Sequence, residues 1–193
     1  MEFLLFALLC LGGYLAGSVM FANWVCLLLN APPPHLYGSR NPGTTNVYRI
    51  SGPGPALLTL TGDALKGYLP VLLAQWLGAP PLVQALVALF AILGHMLPLF
   101  SGFRGGKGVA TTLGAGLALA PATILVMALI WLLVARHTRI GSVASIATVI
   151  ASPLVAWWLN PQQTFVFMII AALILISHRE NLIRLAQGRE HGI

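Results

Sequence analysis

The sequence predicts an all-α integral membrane protein of seven transmembrane helices, with the N-terminus outside and the C-terminus cytoplasmic. Three observations carry this. Of 193 residues, 58% are hydrophobic and 7% charged, against roughly 25% charged in a soluble domain, and the mean hydropathy is +0.89. The apolar residues fall in long runs, several able to cross roughly 30 Å of hydrocarbon at about 1.5 Å rise per residue. Of the ten Lys and Arg, all but Lys66 lie in loops or the tail that seven crossings place on one side, which the positive-inside rule makes the cytoplasm. The net charge of +6 is therefore loop charge and not a nucleic-acid footprint. Residues 1–193 form a single membrane-embedded domain in this reading.

The first span covers 3–29. Glu2 precedes it where a cleaved leader would carry basic residues, so it reads as a permanent span. Gly17, Ser18 and Asn23 suggest a face packed on other helices, with Asn23 needing a partner. Cys10 and Cys26 lack metal-ligand spacing and are too far apart along one helix to meet, so they read as inert core thiols.

Residues 30–55 are the one long polar segment, too rich in proline and glycine for a regular helix through most of its length. The segment groups Ser39, Asn41, Thr44, Thr45, Asn46 and Arg49 closely. Short donors with one Arg fork suit a phosphate, where a plain linker would need none of them. The second span, 56–77, carries Asp63 and Lys66 three residues apart on one helical face. They are either a functional intramembrane pair or a structural ion pair that fixes the neighbouring loops. After the uncharged turn at 78–81 comes a third span, 82–100.

Gly94 to Thr112, GHMLPLFSGFRGGKGVATT, sets Arg104, Lys107 and the glycines Gly105, Gly106 and Gly108 just ahead of an apolar helix. Glycines allow backbone N–H groups close to an anion, Lys107 adds charge, and the following helix N-terminus has unsatisfied N–H groups. It is not an NTPase P-loop, which needs Gly where Ser101 stands and Ser or Thr where Gly108 stands. A basic cytoplasmic loop with tight turns is the plainer alternative.

The apolar run after Gly108 is interrupted by Pro121. Two passes, 108–119 and 122–135, keep Arg136 and Arg139 on the side of Arg104 and Lys107. The first pass is then short enough to need a thinned or partly re-entrant setting. Spans 142–158 and 163–177 follow, then the tail SHRENLIRLAQGREHGI with Arg179, Arg184 and Arg189.

This topology gathers Ser39 to Arg49, Arg104 to Gly108, Ser142 to Ser145 and His178 to Asn181 on the cytoplasmic face. The result is a pocket for one or two phosphate groups beside an apolar interior fit for an alkyl chain. With four Asp and Glu in all, a paired-carboxylate mechanism or divalent-metal cage is not expected, and the histidines lack zinc spacing. No cofactor is implied. His178 is the general-base candidate, against the alternative of a helix-end His at lipid headgroups.

GSRNPGTTNVYR, GHMLPLFSGFRGGKGVATT, SVASI and HRENLIRLAQGRE, in this order over nearly the whole chain, resemble the motifs of the bacterial acyl-phosphate:glycerol-3-phosphate acyltransferase family. The resemblance implies a bacterial inner-membrane enzyme that moves an acyl group from acyl phosphate to glycerol 3-phosphate in phospholipid biosynthesis. It implies that Ser39, Arg49 and Lys107 hold phosphate, with Asn41, Thr45, Asn46, Gly105, Gly106, Ser142 and Ser145 lining the substrate region. His178 and Asn181 would bind or orient glycerol 3-phosphate. Arg40 stands where the family often has Gly, and Met20 where it often has Pro.

Acyl-CoA-dependent acyltransferases use a closely spaced His/Asp pair, which the single Asp63 cannot form, and no Ser–His–Asp set is evident. Direct attack of the glycerol hydroxyl on the activated acyl carbonyl is the expected chemistry. An anion transporter is the rival class, but no internal repeat is found. A membrane scaffold would not need RGGKG.

Overall fold

The computed structural model describes residues 2–193, and among these all regular structure is helical. It forms two compact units, one ending at Leu119 and the other beginning at Ala120.

The first unit contains α1 (Glu2–Gly17), α2 (Phe21–Leu28), α3 (Thr44–Ser51), α4 (Pro53–Trp76), α5 (Pro81–Met96) and α6 (Val109–Leu119), with a 3-10 turn at Leu99–Ser101. Proline opens α4 and α5, where its missing N–H would have no intrahelical acceptor anyway. α4 is the hub, packed on α1, α2, α3, α5 and α6. Two of its contacts are backbone to backbone: a Cβ on Gly67 would overlap the Thr111 carbonyl oxygen, and one on Gly114 the Ala64 carbonyl oxygen. α1 crosses α5 in the same way, Gly17 lying on the Ala91 carbonyl and Gly94 on that of Tyr14. Small residues permit such approaches where lipid competes for every apolar surface. Leu9, Val71, Val83, Val87 and Ala115 fill the space between.

The expected first span is not one straight helix. It breaks at Ser18–Met20 and bends by 40° between α1 and α2. The break exposes the Val19 carbonyl, and Lys66 Nζ on α4 donates to it at 2.6 Å, the kind of replacement partner that broken membrane helices require. The close packing expected at Gly17 is present, and Ser18 bonds back to the Tyr14 carbonyl at 2.9 Å. Asn23 Oδ1, however, is buried with no hydrogen-bond partner. The polar segment 30–55 also holds more helix than its prolines suggest: α3 fits whole between Pro42 and Pro53.

The second unit contains α7 (Pro121–Thr138), α8 (Gly141–Leu159), α9 (Thr164–Ser177) and α10 (Arg179–Ala186), with a 3-10 turn at Pro161–Gln163. α8 packs on α7 and α9, around the fully buried Ile124, Phe167, Ile170 and Ile174. Thr123 Oγ1 donates to Asn160 Oδ1 at 2.9 Å, joining the start of α7 to the end of α8. The apolar run after Gly108 does divide at Ala120–Pro121.

Among the described residues four helical stretches are long and apolar enough to cross a bilayer, Pro53–Trp76, Pro81–Ser101, Pro121–Thr138 and Gly141–Leu159, and the number rises to six if the bent pairs α1–α2 and α9–α10 each count as one. α6 falls short at 11 residues. Trp76, Trp157 and Trp158 are exposed near the ends of α4 and α8 that lead into the uncharged turns, the placement of interfacial aromatic anchors.

Gly114→Val places a branched side chain where the Ala64 carbonyl stands. It should destabilise by at least about 1–3 kcal/mol, the range for overpacking, read as a lowered Tm in detergent. Gly12→Ala, where an added Cβ meets nothing, should leave Tm unchanged or raised. Equal Tm values for Gly114→Val and wild type would rule out the close α4–α6 crossing.

Candidate active site

In the first unit the polar segment is built around Asn46. Its side chain is buried on α3 and uses both ends of its amide: Nδ2 donates to the carbonyls of Pro34 at 3.0 Å and Tyr37 at 3.1 Å, and Oδ1 accepts the Ser39 N–H at 2.8 Å. Asn46 thus draws the loop carrying Ser39 onto the start of α3. Gly38 sits at φ 62 with no room for a Cβ beside Asn46 Oδ1. Arg40, where the resembled family often has Gly, sits at φ 59, a left-handed conformation that costs a non-glycine residue about 1–2 kcal/mol. Ser39 is exposed, Asn41 and Thr45 are half-buried, and Arg49 is half-buried in the last turn of α3.

The glycine-rich turn rests on the end of α5. Gly106 N–H donates to the His95 carbonyl at 3.1 Å. A Cβ on Gly105 would overlap that same carbonyl, and one on Gly106 would overlap His95 Nε2. Both glycines are therefore needed for packing, in addition to any freedom they give an anion site. Gly108, at φ 84, turns the chain into α6, where its carbonyl accepts the Thr112 N–H at 2.8 Å. Lys107 is half-buried between Gly106 and Gly108, and Arg104 is exposed.

Beneath the turn lies a buried cluster that composition alone only half reveals. Lys66 Nζ stands 2.7 Å from Asp63 Oδ1, and His95 Nδ1 is 3.7 Å from the same oxygen. The paired face of Asp63 and Lys66 was legible from their spacing, but the approach of His95 was not.

In the second unit a carboxylate missed by sequence reasoning is the organiser. Glu190, its side chain 5% exposed, accepts hydrogen bonds from Ser142 Oγ at 3.0 Å, Asn181 Nδ2 at 2.6 Å and Arg184 Nε at 2.8 Å. It ties the tail to the start of α8 and to α10. Burial pushes its carboxyl up, but the hydrogen bonds from Arg184, Asn181 and Ser142, with the Arg184 charge, outweigh this and hold it below its ordinary value. The only signal for it in sequence was the scarcity of acids in a chain this apolar.

His178 sits at the break between α9 and α10, which meet at 57°. It is buried, not at a headgroup-facing helix end as the plainer reading had it. The Ile174 carbonyl takes Ser177 Oγ at 2.7 Å and His178 Nδ1 at 2.8 Å in addition to the His178 N–H at 3.0 Å, so side-chain donors crowd the last turn of α9 without removing its ladder bond. A nitrogen that close to a carbonyl oxygen carries the proton, so the lone pair of the neutral ring is on Nε2. Ser145 Oγ accepts from Trp131 Nε1 at 3.0 Å and donates to the Gly141 carbonyl at 2.9 Å. Among the described residues no group of His, Cys, Asp and Glu could hold a metal ion.

Residues 7–188 match the family model for glycerol-3-phosphate acyltransferase. The chain belongs to that family. It is 52% identical over 180 residues to the glycerol-3-phosphate acyltransferase of Hahella chejuensis, covering 93% of each chain. The corresponding protein of Idiomarina loihiensis is 46% identical over 183 residues, covering 95% of this chain and 93% of that one. Among solved structures, the fold matches the crystal structure of PlsY, an integral membrane glycerol 3-phosphate acyltransferase, in its glycerol 3-phosphate form, with a TM-score of 0.90 and 37% identity over 97% of this chain and 95% of that one. The lysophosphatidic acid form of PlsY gives a TM-score of 0.89 at the same identity and coverage. This acyltransferase is thus an integral membrane protein of phospholipid biosynthesis, and the resemblance read from its motifs is correct at the level of family.

Because its pKa is lowered on folding, Glu190 contributes stability that is complete above its ordinary value of 4.5 and is lost as pH falls through the lowered folded value. Glu190→Gln should lower Tm at neutral pH and flatten the fall of Tm on acidification. A Tm-against-pH curve superimposable on wild type would show that this cluster does not stabilise the fold.

Proposed function

We propose that this acyltransferase transfers an acyl group from acyl phosphate to the 1-hydroxyl of glycerol 3-phosphate, releasing lysophosphatidic acid and inorganic phosphate without an acyl-enzyme. The observation that carries this is the glycine-rich turn with Lys107 immediately ahead of α6, in a chain of this family whose single Asp, Asp63, has Thr59 and not His four residues before it. Asp63 does have a His nearby, His95, and the two are buried together with Lys66.

The glycerol hydroxyl oxygen attacks the acyl carbonyl, the bond from carbonyl carbon to bridging oxygen breaks, and phosphate leaves with its electron pair. The hydroxyl proton passes to His178 Nε2 or to a phosphate oxygen. Ser39, Arg49 and Lys107 hold phosphate, with Asn41, Thr45, Gly105, Gly106 and Ser145 contributing donors or close backbone. Asn46 serves by holding the Ser39 loop. His178 orients the glycerol moiety, while Asn181 and Ser142 share the anchoring of Glu190. The acyl donor is already activated, so positioning and charge neutralisation supply most of the rate. The glycerol 3-phosphate and lysophosphatidic acid forms of PlsY support the acceptor and the product.

The chain works as one inner-membrane domain over 1–193, with seven crossings, α6 being a short pass, and the polar loops on the cytoplasmic side. The chain division at Ala120–Pro121 and the uncharged turns support this. Cysteines introduced at positions 104 and 138 should be labelled only from the cytoplasmic side and one at 79 only from outside. Labelling of 104 and 138 from opposite faces would refute the double pass.

In steady-state assays of purified protein, acyl phosphate should support turnover and acyl-CoA should not. Lys107→Ala should lower the acyl-phosphate rate by on the order of 10²-fold or more, the scale of losing one preorganised electrostatic contact, while Arg104→Ala stays within about tenfold. Equal rates with acyl-CoA would overturn the donor assignment, and a reversed order of the two variants would overturn the assignment of Lys107.

A further inference from the structure

The buried trio Asp63, Lys66 and His95 has no part in the reaction just described. A buried ion pair is weak evidence for stability, since desolvation of the charges offsets much of their attraction, and charged residues inside membrane helices are rare without a function. What distinguishes this pair is what it touches at each end. Lys66 Nζ, 2.7 Å from Asp63 Oδ1, also holds the Val19 carbonyl at the α1–α2 break, 2.6 Å away. On the other side Asp63 Oδ1 faces His95 Nδ1 at 3.7 Å. The opposite edge of the His95 ring, Nε2 with Cε1 and Cδ2, lies under Gly106, leaving no space for a side chain there. The His95 carbonyl accepts the Gly106 N–H at 3.1 Å and lies against Gly105. Lys107 is the next residue. A continuous series of contacts therefore runs from the helix break through Lys66, Asp63 and the His95 ring to the backbone from which Lys107 projects.

We propose that Asp63, Lys66 and His95 are positioning residues for Lys107: the ion pair orients the His95 ring, and the ring with its carbonyl forms the floor on which the Gly105–Gly106 turn is set. This rests on the reading that Lys107 holds substrate phosphate. In that reading none of the three touches the reacting groups. The arrangement explains why a neutralised charge pair is retained on the hub helix of an apolar core. It also explains why the glycines preceding Lys107 cannot carry even a methyl group.

The test is a double-mutant cycle on kcat/KM with acyl phosphate and glycerol 3-phosphate, on purified variants whose Tm is measured in parallel. His95→Ala should lower kcat/KM by about tenfold or more, since misplacement of a catalytic group by about 1 Å can cost 10²-fold. In a Lys107→Ala background the same substitution should cost less than about threefold. A role confined to general folding would slow both backgrounds alike. Should His95→Ala not purify as folded protein, Asp63→Asn combined with Lys66→Met removes both charges, leaves no lone buried ion, and is expected to show the same dependence on Lys107. Equal losses in both backgrounds, with Lys107→Ala itself strongly impaired, overturn the positioning role while leaving the reading of Lys107 intact. Near wild-type activity of Lys107→Ala overturns that reading and the positioning role with it.

Discussion

Lys66 is the residue on which the polar core of the first unit depends, because one ammonium serves two buried groups at once. The Val19 carbonyl is freed by the break between α1 and α2, and in hydrocarbon a freed carbonyl must find a donor. The Asp63 carboxylate is buried in the helix that contacts every other helix of its unit, and it needs a countercharge. Lys66 meets both from a position one turn along α4, at 2.6 and 2.7 Å. The bend of the first span, the hub helix α4 and, through Asp63, the His95 ring all meet at that single side chain. Glu190 fills the corresponding place in the second unit, where three donors from α8 and α10 meet on one carboxylate. In a chain with four acidic residues, two are the anchors of its polar architecture.

The glycines follow a second constraint. A glycine-rich segment next to a Lys invites an explanation by backbone flexibility or by N–H groups turned to an anion. At Gly105 and Gly106 the demand is steric and comes from below, from the carbonyl and ring of His95. At Gly67 and Gly114 it comes from a facing helix backbone. Only Gly102 and Gly108 in this turn require their left-handed φ. Phe103, at φ 61 between them, shows that the turn imposes its geometry even on a bulky residue, so the fold and not the residue sets the path of the chain to Lys107.

Much of this was legible in the sequence, because membrane helices leave strong marks. Apolar runs delimit helices, and the helix limits at 53–76, 81–96, 121–138 and 141–159 lie close to the runs because proline and loop charge punctuate them. The pairing of Asp63 with Lys66 followed from helical spacing. The break at Ser18–Met20 did not, since the donor that receives its freed carbonyl is a Lys 47 residues away, and Gly17 and Ser18 read equally well as packing residues. α3 was hidden for the opposite reason: the prolines at 42 and 53 that seem to forbid a helix instead bracket one. Glu190 was hidden because its three partners are 6 to 48 residues distant, and a carboxylate in a polar tail looks solvated until the fold closes around it.

Family motifs mix two kinds of residue that sequence cannot separate, and the geometry begins to separate them. Asn46 bonds three backbone groups of its own loop. Asn181 gives its amide to Glu190 at 2.6 Å, and Gly38 and Gly106 leave room for their neighbours. These residues fix where the Ser39 loop, the turn before Lys107 and the start of α10 stand. The groups whose chemistry suits a phosphate, a hydroxyl at Ser39, the guanidinium of Arg49 and the ammonium of Lys107, stand on other residues of the same motifs. A motif residue therefore marks a fixed geometry as often as a reacting group: Asn46, Asn181 and Gly106 read in sequence like ligand contacts, while the structure gives each a protein neighbour to hold or to make room for.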